Sequence, residues 1–369
     1  MGAFLKRAIL SLAIFVVTAE AGSFLVAKYL QHRGILYKAH EDLSDYGAYL
    51  DRRHPVLGWI KLADEDNVLL DGSRNSPAVP DGESQPPCVS LYGDSFVWAD
   101  EVDDVHAWGN LLAGRLGCRV ANFGVRAYGT DQSYLRYLHS ASTDNGQVVL
   151  LGHLTENVLR NVTQDFDLLY GLTKYGLKPR FVIDATGQLE LIPLPELSSE
   201  EFALLNRSPE KVLTHEYLVP LYARFPYVVS LARAFGSFRI QAKLRAEPPY
   251  AAFYRRSHSS GALAVTAGIL SAFVAEAKAR VDKPMVLVIP NLMDLRYFEV
   301  TGTWLHKPLL EELEKREIPF LDAGQALFSI LQGRDEQSIY APGNHFNEEG
   351  NRLLADIVYD ALVARGLRP

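Results

Sequence analysis

The stretch Leu91-Tyr-Gly93-Asp94-Ser95-Phe ends a short apolar run on a serine. A serine hydroxyl becomes a nucleophile when a base takes its proton, and acyl chemistry then needs donors for the oxyanion. Groups of those types follow in order along the chain. Asn122-Phe-Gly124-Val ends a second apolar run, and its glycine offers a bare backbone N–H. Gly152-His153-Leu-Thr-Glu156-Asn157 ends a third, and Gly343-Asn-His345-Phe-Asn-Glu-Glu-Gly350 precedes the last helical pattern. A serine, a glycine, an asparagine and a histidine, each at a strand end or a helix entrance, are the parts of nucleophilic acyl transfer. Taken alone, Gly-Asp-Ser fits equally well a plain turn with an Asx-type cap.

Such groups converge only if the strands that carry them end on one side. In an open α/β sheet, ligands bind outside the carboxyl ends of the strands. The apolar patterning predicts strands at 89–92, 120–123 and 148–151, with helices at 108–116 and 130–140. The run at 148–151 is continuously apolar, as in a strand buried on both faces. The middle, about 165–258, is less regular and reads as an insertion; within it 180–192 predicts a hairpin turning at 184–187, and Ser198 with Glu201 a capping box. Alternation then resumes: helix 261–281, strand 285–289, helix 308–316, strand 319–321, helix 348–364. The expected fold class is α/β, a three-layer α/β/α arrangement around a mostly parallel central sheet. Residues 88–369 form this domain, and 31–87 read as a membrane-proximal connector whose 75–87 stretch is loop.

Residues 1–30 differ from the rest. Lys6 and Arg7 precede an apolar run over 8–27 broken only by Glu20. About 20 helical residues span roughly 30 Å, one bilayer core. The run is read as an uncleaved membrane anchor or a signal peptide, with Ala19-Glu20-Ala21 as a cleavage site. With the two basic residues held inside, both place the domain outside the cytoplasm. Export would permit a disulfide between Cys88 and Cys118, which open neighbouring predicted strands; two buried free thiols are the alternative. The net charge of -7 argues against a nucleic-acid partner. Two cysteines are too few for a zinc-finger site, and His106, His139, His215, His258 and His306 show no metal-ligand spacing with acidic partners. No cofactor or metal is expected.

The stretches Gly93-Asp-Ser-Phe, Asn122-Phe-Gly-Val, Tyr128-Gly-Thr-Asp-Gln132, Glu156-Asn-Val-Leu-Arg-Asn161 and His345-Phe-Asn-Glu-Glu-Gly350 resemble the SGNH/GDSL hydrolase family. His54-Pro-Val-Leu-Gly-Trp59 is similar to a segment that often precedes that domain. The likeness covers about 88–160 and 284–360 and is nearest to membrane-anchored members associated with bacterial cell-surface polysaccharides. It implies a flavodoxin-like sheet, Ser95 as nucleophile and His345 as general base. It also implies an oxyanion hole made of the Ser95 and Gly124 N–H groups and the Asn157 side chain. The implied reaction is hydrolysis of an ester, an O-acetyl group on a glycan, through an acyl-enzyme; the implied partners are that glycan, the membrane and polysaccharide-assembly proteins.

The sequence departs from the family in two respects: Glu156-Asn157 stands where the third block is usually Gly-x-Asn-Asp, and no acid precedes the histidine. An aspartate usually stands two or three residues before the histidine, and here those positions hold Gly343 and Pro342. A backbone carbonyl or a carboxylate from elsewhere in the chain is therefore expected to accept the Nδ1–H of His345. An O-acetyltransferase using the same Ser and His, and a catalytically weak polysaccharide-binding protein, are the competing readings. His153 is expected as an interior or rim histidine, Asp131 as a helix cap and Asp94 as a brace of the turn. Asn161-Val-Thr and Asn206-Arg-Ser are glycosylation sequons in a host that glycosylates.

Overall fold

The computed structural model describes residues 2–37, 46–61, 67–79, 85–140, 148–170, 176–205 and 208–367. Its centre is a five-stranded sheet of β1 (Val89–Tyr92), β2 (Val120–Asn122), β3 (Val148–Leu154), β6 (Lys283–Ile289) and β7 (Phe320–Asp322). The order is β2-β1-β3-β6-β7, every pair parallel. A separate antiparallel hairpin of β4 (Arg180–Ile183) and β5 (Leu189–Ile192) lies in the segment between β3 and β6, at the predicted place.

Strand alternation sorts the core into two faces. Val89, Leu91, Val148 and Leu150 pack with the helices Trp108–Leu116, Ala323–Leu331 and Glu348–Ala364. Tyr92, Val149 and Leu151 point the other way, toward the helices Thr130–Ser140, Ala262–Ala279 and Lys307–Lys315. Successive side chains leave a strand on opposite faces, so both layers must be apolar, and the three-layer α/β arrangement follows. Each fully buried Leu or Val contributes about 1.5–3 kcal/mol.

Cys88 and Cys118, which precede β1 and β2, form a disulfide with Cα atoms 6.1 Å apart. Parts of 31–87 pack into the domain. Leu57 is buried, and the buried Arg74 donates to the carbonyls of Trp98 (2.5 Å), Ala99 (2.8 Å) and Val102 (2.7 Å). Residues 80–84 of the expected loop, and Asn206 and Arg207 of the second sequon, lie outside the described residues. Asn161 is fully buried and donates to Thr266 Oγ1 at 2.9 Å, so its sequon is not a surface acceptor.

The helix Gly2–His32 is long and apolar enough to cross a membrane; its most apolar 18-residue stretch is not buried by the domain, whereas Ala27, near its end, is. Ala262–Ala279 meets the same length and composition but is a core helix, with Ile269, Leu270 and Phe273 fully buried.

Candidate active site

β1 and β3 are neighbours, yet the chain visits β2, on the far side of β1, between them. The direction of winding reverses between β1 and β3, which opens a crevice at their carboxyl ends. Ser95 stands at the mouth of that crevice, as the first residue of the short helix Ser95–Trp98 that follows β1. Asp94 caps this helix, accepting the Phe96 N–H at 2.9 Å. Asp94 is buried; burial pushes its carboxyl up, opposed by the Arg160 guanidinium and the Phe96 N–H. Arg160 reaches it at 3.3 Å and also donates to the Tyr128 carbonyl at 3.1 Å. Asp94 therefore braces the turn, as the sequence suggested.

His345 arrives from the loop before the last helix. Ala341 N–H donates to the His345 carbonyl (2.8 Å), Asn351 Nδ2 donates to the Phe346 carbonyl (3.0 Å), and Asn347 caps Glu348–Ala364 by accepting the Gly350 N–H (3.0 Å). The Phe96 ring lies against the imidazole, centroids 5.0 Å apart. The result is a contact across 250 positions: His345 Nε2 lies 2.8 Å from Ser95 Oγ. Ser95 is 4% exposed, while the His345 side chain retains 23%.

The other imidazole nitrogen faces a carboxylate. His345 Nδ1 is 3.1 Å from Oε1 of Glu101, and the second oxygen of Glu101 accepts the Gly343 N–H at 3.1 Å. With Nδ1–H donating to Glu101, Nε2 is left to accept the Ser95 hydroxyl proton. Of the two expected acceptors, the structure supplies the carboxylate from elsewhere in the chain. Glu101 sits on a tight loop after the Ser95 helix, in which Ala99 (φ 66°) and Glu101 (φ 72°) both take the left-handed conformation. Arg74 pins the Trp98, Ala99 and Val102 carbonyls of that loop, and Arg126 Nε pairs with Asp100 at 2.6 Å.

Gly343 has a steric reason. A Cβ there would come within 1.6 Å of Glu101 Oε1, so an aspartate at this position would displace the carboxylate that is present. Sequence reasoning missed Glu101. The available cue was the acidic pair Asp100-Glu101 directly after the serine helix.

The expected oxyanion donors fare unequally. Ser95 N–H opens a helix and has no intrahelical acceptor. Asn157 begins the short helix Asn157–Arg160 after β3 and lies beside the Asp94 carboxylate. Both polar atoms of its amide are buried, and neither makes a well-formed hydrogen bond among the described residues. Gly124 is a correction. Its N–H donates to Asn122 Oδ1 at 3.0 Å, and Asn122 is held in that orientation because its Nδ2 donates to the Val97 carbonyl at 2.7 Å. What Gly124 provides is close approach: a Cβ would lie 2.4 Å from Trp98 N.

Two further residues lie deeper. His153, on β3, is fully buried, with Nδ1 2.7 Å from Thr130 Oγ1 and Nε2 3.1 Å from the Tyr254 hydroxyl. It is an interior histidine. Asp131 does accept the Gln132 N–H at 2.8 Å, but its main partner is the fully buried Lys178 ammonium. Burial pushes the Asp131 carboxyl up and the Lys178 ammonium down, and each partner's charge pulls the other back. The expectation of a simple helix cap is thus corrected to a buried ion pair.

No family model matches the sequence, and no curated protein does. Solved structures do match. A putative lipolytic protein of the G-D-S-L family from Desulfitobacterium hafniense DCB-2 is 13% identical, covering 74% of this chain and 98% of its own (TM-score 0.35). The acetyl xylan esterase AlAXEase is 10% identical, covering 74% and 98% (TM-score 0.40). A lipase/acylhydrolase from Enterococcus faecalis is 12% identical, covering 75% and 95% (TM-score 0.37). Superpositions this loose carry no weight for the chemistry, which rests on the site itself.

Proposed function

We propose that the protein is a serine esterase in which Ser95, His345 and Glu101 act as a triad. The observation that carries this reading is the relay from Glu101 through His345 to Ser95, at 3.1 Å and 2.8 Å, built from segments far apart in sequence. Chance packing seldom aligns a carboxylate, an imidazole and a hydroxyl at a strand-end crevice in the order that acyl transfer needs. His345 takes the Ser95 proton as Oγ attacks the ester carbonyl. The alkoxide leaves with that proton, and an acyl-enzyme remains. Water then attacks with His345 again as base, releasing the acid and restoring the serine. Glu101 holds the imidazole tautomer and stabilises the imidazolium that forms twice per turnover. The Ser95 N–H and the Asn157 amide are the oxyanion donors, each worth about 2.7–4 kcal/mol in the transition state.

The substrate class, an O-acetylated glycan outside the cytoplasm, rests on the sequence motifs and on the apolar N-terminal helix. The catalytically weak binding reading was motivated by a missing acid, and Glu101 removes that motivation. The test is acetate release from p-nitrophenyl acetate and from an acetylated polysaccharide, comparing the unaltered chain with Ser95→Ala. Release from both that Ser95→Ala abolishes is expected. Release unchanged by that substitution would end the esterase reading.

A further inference from the structure

The insertion carries an apolar surface that ester hydrolysis does not use. The helix Tyr227–Phe235 buries Ser230 and Ala234 and leaves Val228, Val229 and Phe235 exposed. Phe225, just ahead of it, is 75% exposed. Large apolar side chains grouped in this way mark a surface made for something other than water.

The position of this helix indicates what covers it. It lies along the apolar N-terminal helix: the Phe24 and Tyr227 rings meet edge to face at 5.1 Å, and Ala27 and Ala234 are buried in one shared cluster. Glu20, the acidic residue within the apolar N-terminal run, aims its carboxylate at the start of the second helix. It accepts the Tyr227 N–H at 2.7 Å and lies 3.5 Å from Val228 N. In water neither group needs the other. In lipid both are costly alone, because first-turn N–H groups have no intrahelical partner and a carboxylate in a spanning helix has no solvent. Pairing them satisfies both. Glu20 is about 10 Å along the helix from Ala27, within the roughly 5–10 Å depth at which interfacial helices bury an apolar face. Exposed Arg224 and Arg233, before and within the helix, have stems long enough to return their charge to a phosphate layer.

We propose that the apolar face of Tyr227–Phe235 lies in the phospholipid interface beside the N-terminal helix, with Glu20 closing its first turn and Arg224 and Arg233 at the lipid phosphates. The insertion would thereby clamp the domain onto the bilayer instead of leaving it to swing on a single helix. This rests on Gly2–His32 residing in a bilayer and is independent of Ser95 chemistry.

The experiment uses the full chain reconstituted in vesicles of phosphatidylethanolamine and phosphatidylglycerol containing a photoactivatable acyl-chain phospholipid. Mass mapping of the unmodified chain should find cross-links at 225–235 as well as in the N-terminal helix. Cross-links confined to the N-terminal helix would overturn the proposal. A second measurement places nitroxides through Val229→Cys, Phe235→Cys and, as control, Val281→Cys; Val281 is 88% exposed and lies just before the amino end of β6. With Cys88 and Cys118 bonded to each other, the introduced thiol is the one free to label. Sites 229 and 235 should be relaxed more by dissolved oxygen than by a water-soluble nickel chelate, and 281 the reverse. Chelate access at 229 and 235 equal to that at 281 contradicts it.

Discussion

Two histidines near the carboxyl ends of the strands show what separates a reagent from a structural part. His153 sits between two hydroxyls inside the domain. Tyr254 donates its own proton to the Thr155 carbonyl at 2.6 Å, so it accepts from His153 Nε2–H, and Nδ1 accepts from Thr130. Every donor and acceptor is spent, and burial pushes the imidazole down to about 3. His345 also has two partners, but one is a carboxylate and the other a serine at a strand-end crevice. His345 is set apart by its carboxylate partner and by a side chain that keeps 23% of its exposure. The same side chain is locked neutral where its neighbours are hydroxyls and water is excluded.

The sharpest way to break this contrast is to remove each partner in turn. Ser95→Ala and His345→Ala should each lower kcat/KM for an acetyl ester by roughly 10⁴-fold or more, with little change in melting temperature. His153→Gln should leave kcat/KM per folded molecule nearly unchanged. A comparable loss of activity at His153 would erase the distinction.

Glu101→Gln keeps the shape of the side chain and removes its charge. Turnover should fall by about 10²- to 10⁴-fold, because the tautomer and the imidazolium lose their partner. The side chain is 30% exposed, so screening by water favours the lower end. Gly343→Ala should act in the same direction and less strongly, since the new Cβ lands on the movable carboxylate end while the fold around it is kept. Kinetics at saturating substrate with parallel thermal melts separate these effects from unfolding.

The smallest effect is one of stability and pH. His153→Gln leaves hydroxyls imperfectly paired and should cost about 1–3 kcal/mol near neutral pH. In the unaltered protein the neutral His153 stays unprotonated in the fold while the unfolded chain takes up a proton below about 6.5. The unfolded state then binds more protons, so the contribution of His153 is full above that pH. It falls as pH drops toward 3, by at most about 1.4 kcal/mol per unit. Chemical denaturation from pH 7 to 4 should show this acid loss in the unaltered chain and a shallower one in His153→Gln.

The pattern of legibility follows from the range of the interactions. Helices such as Trp108–Leu116 and Thr130–Ser140 were readable because local periodicity decides them. The Ser95 and His345 stretches were each legible as a local turn or cap, and the resemblance to a known set of motifs linked them; the structure brings the two side chains to 2.8 Å. Glu101 was not, because its reach to His345 depends on left-handed backbone at Ala99 and at Glu101 itself, and on Arg74 holding the loop from outside. Gly124 was misread because a side chain two residues away, Asn122, takes its N–H. Asp131 was misread because Lys178, 47 residues on, reaches it only in the folded chain.

The most direct test of the triad is the intact mass of the protein after brief exposure to a fluorophosphonate. One adduct per chain, located on Ser95 and lost in His345→Ala, is the expected result. No adduct on Ser95, or one that forms equally fast without His345, would contradict it.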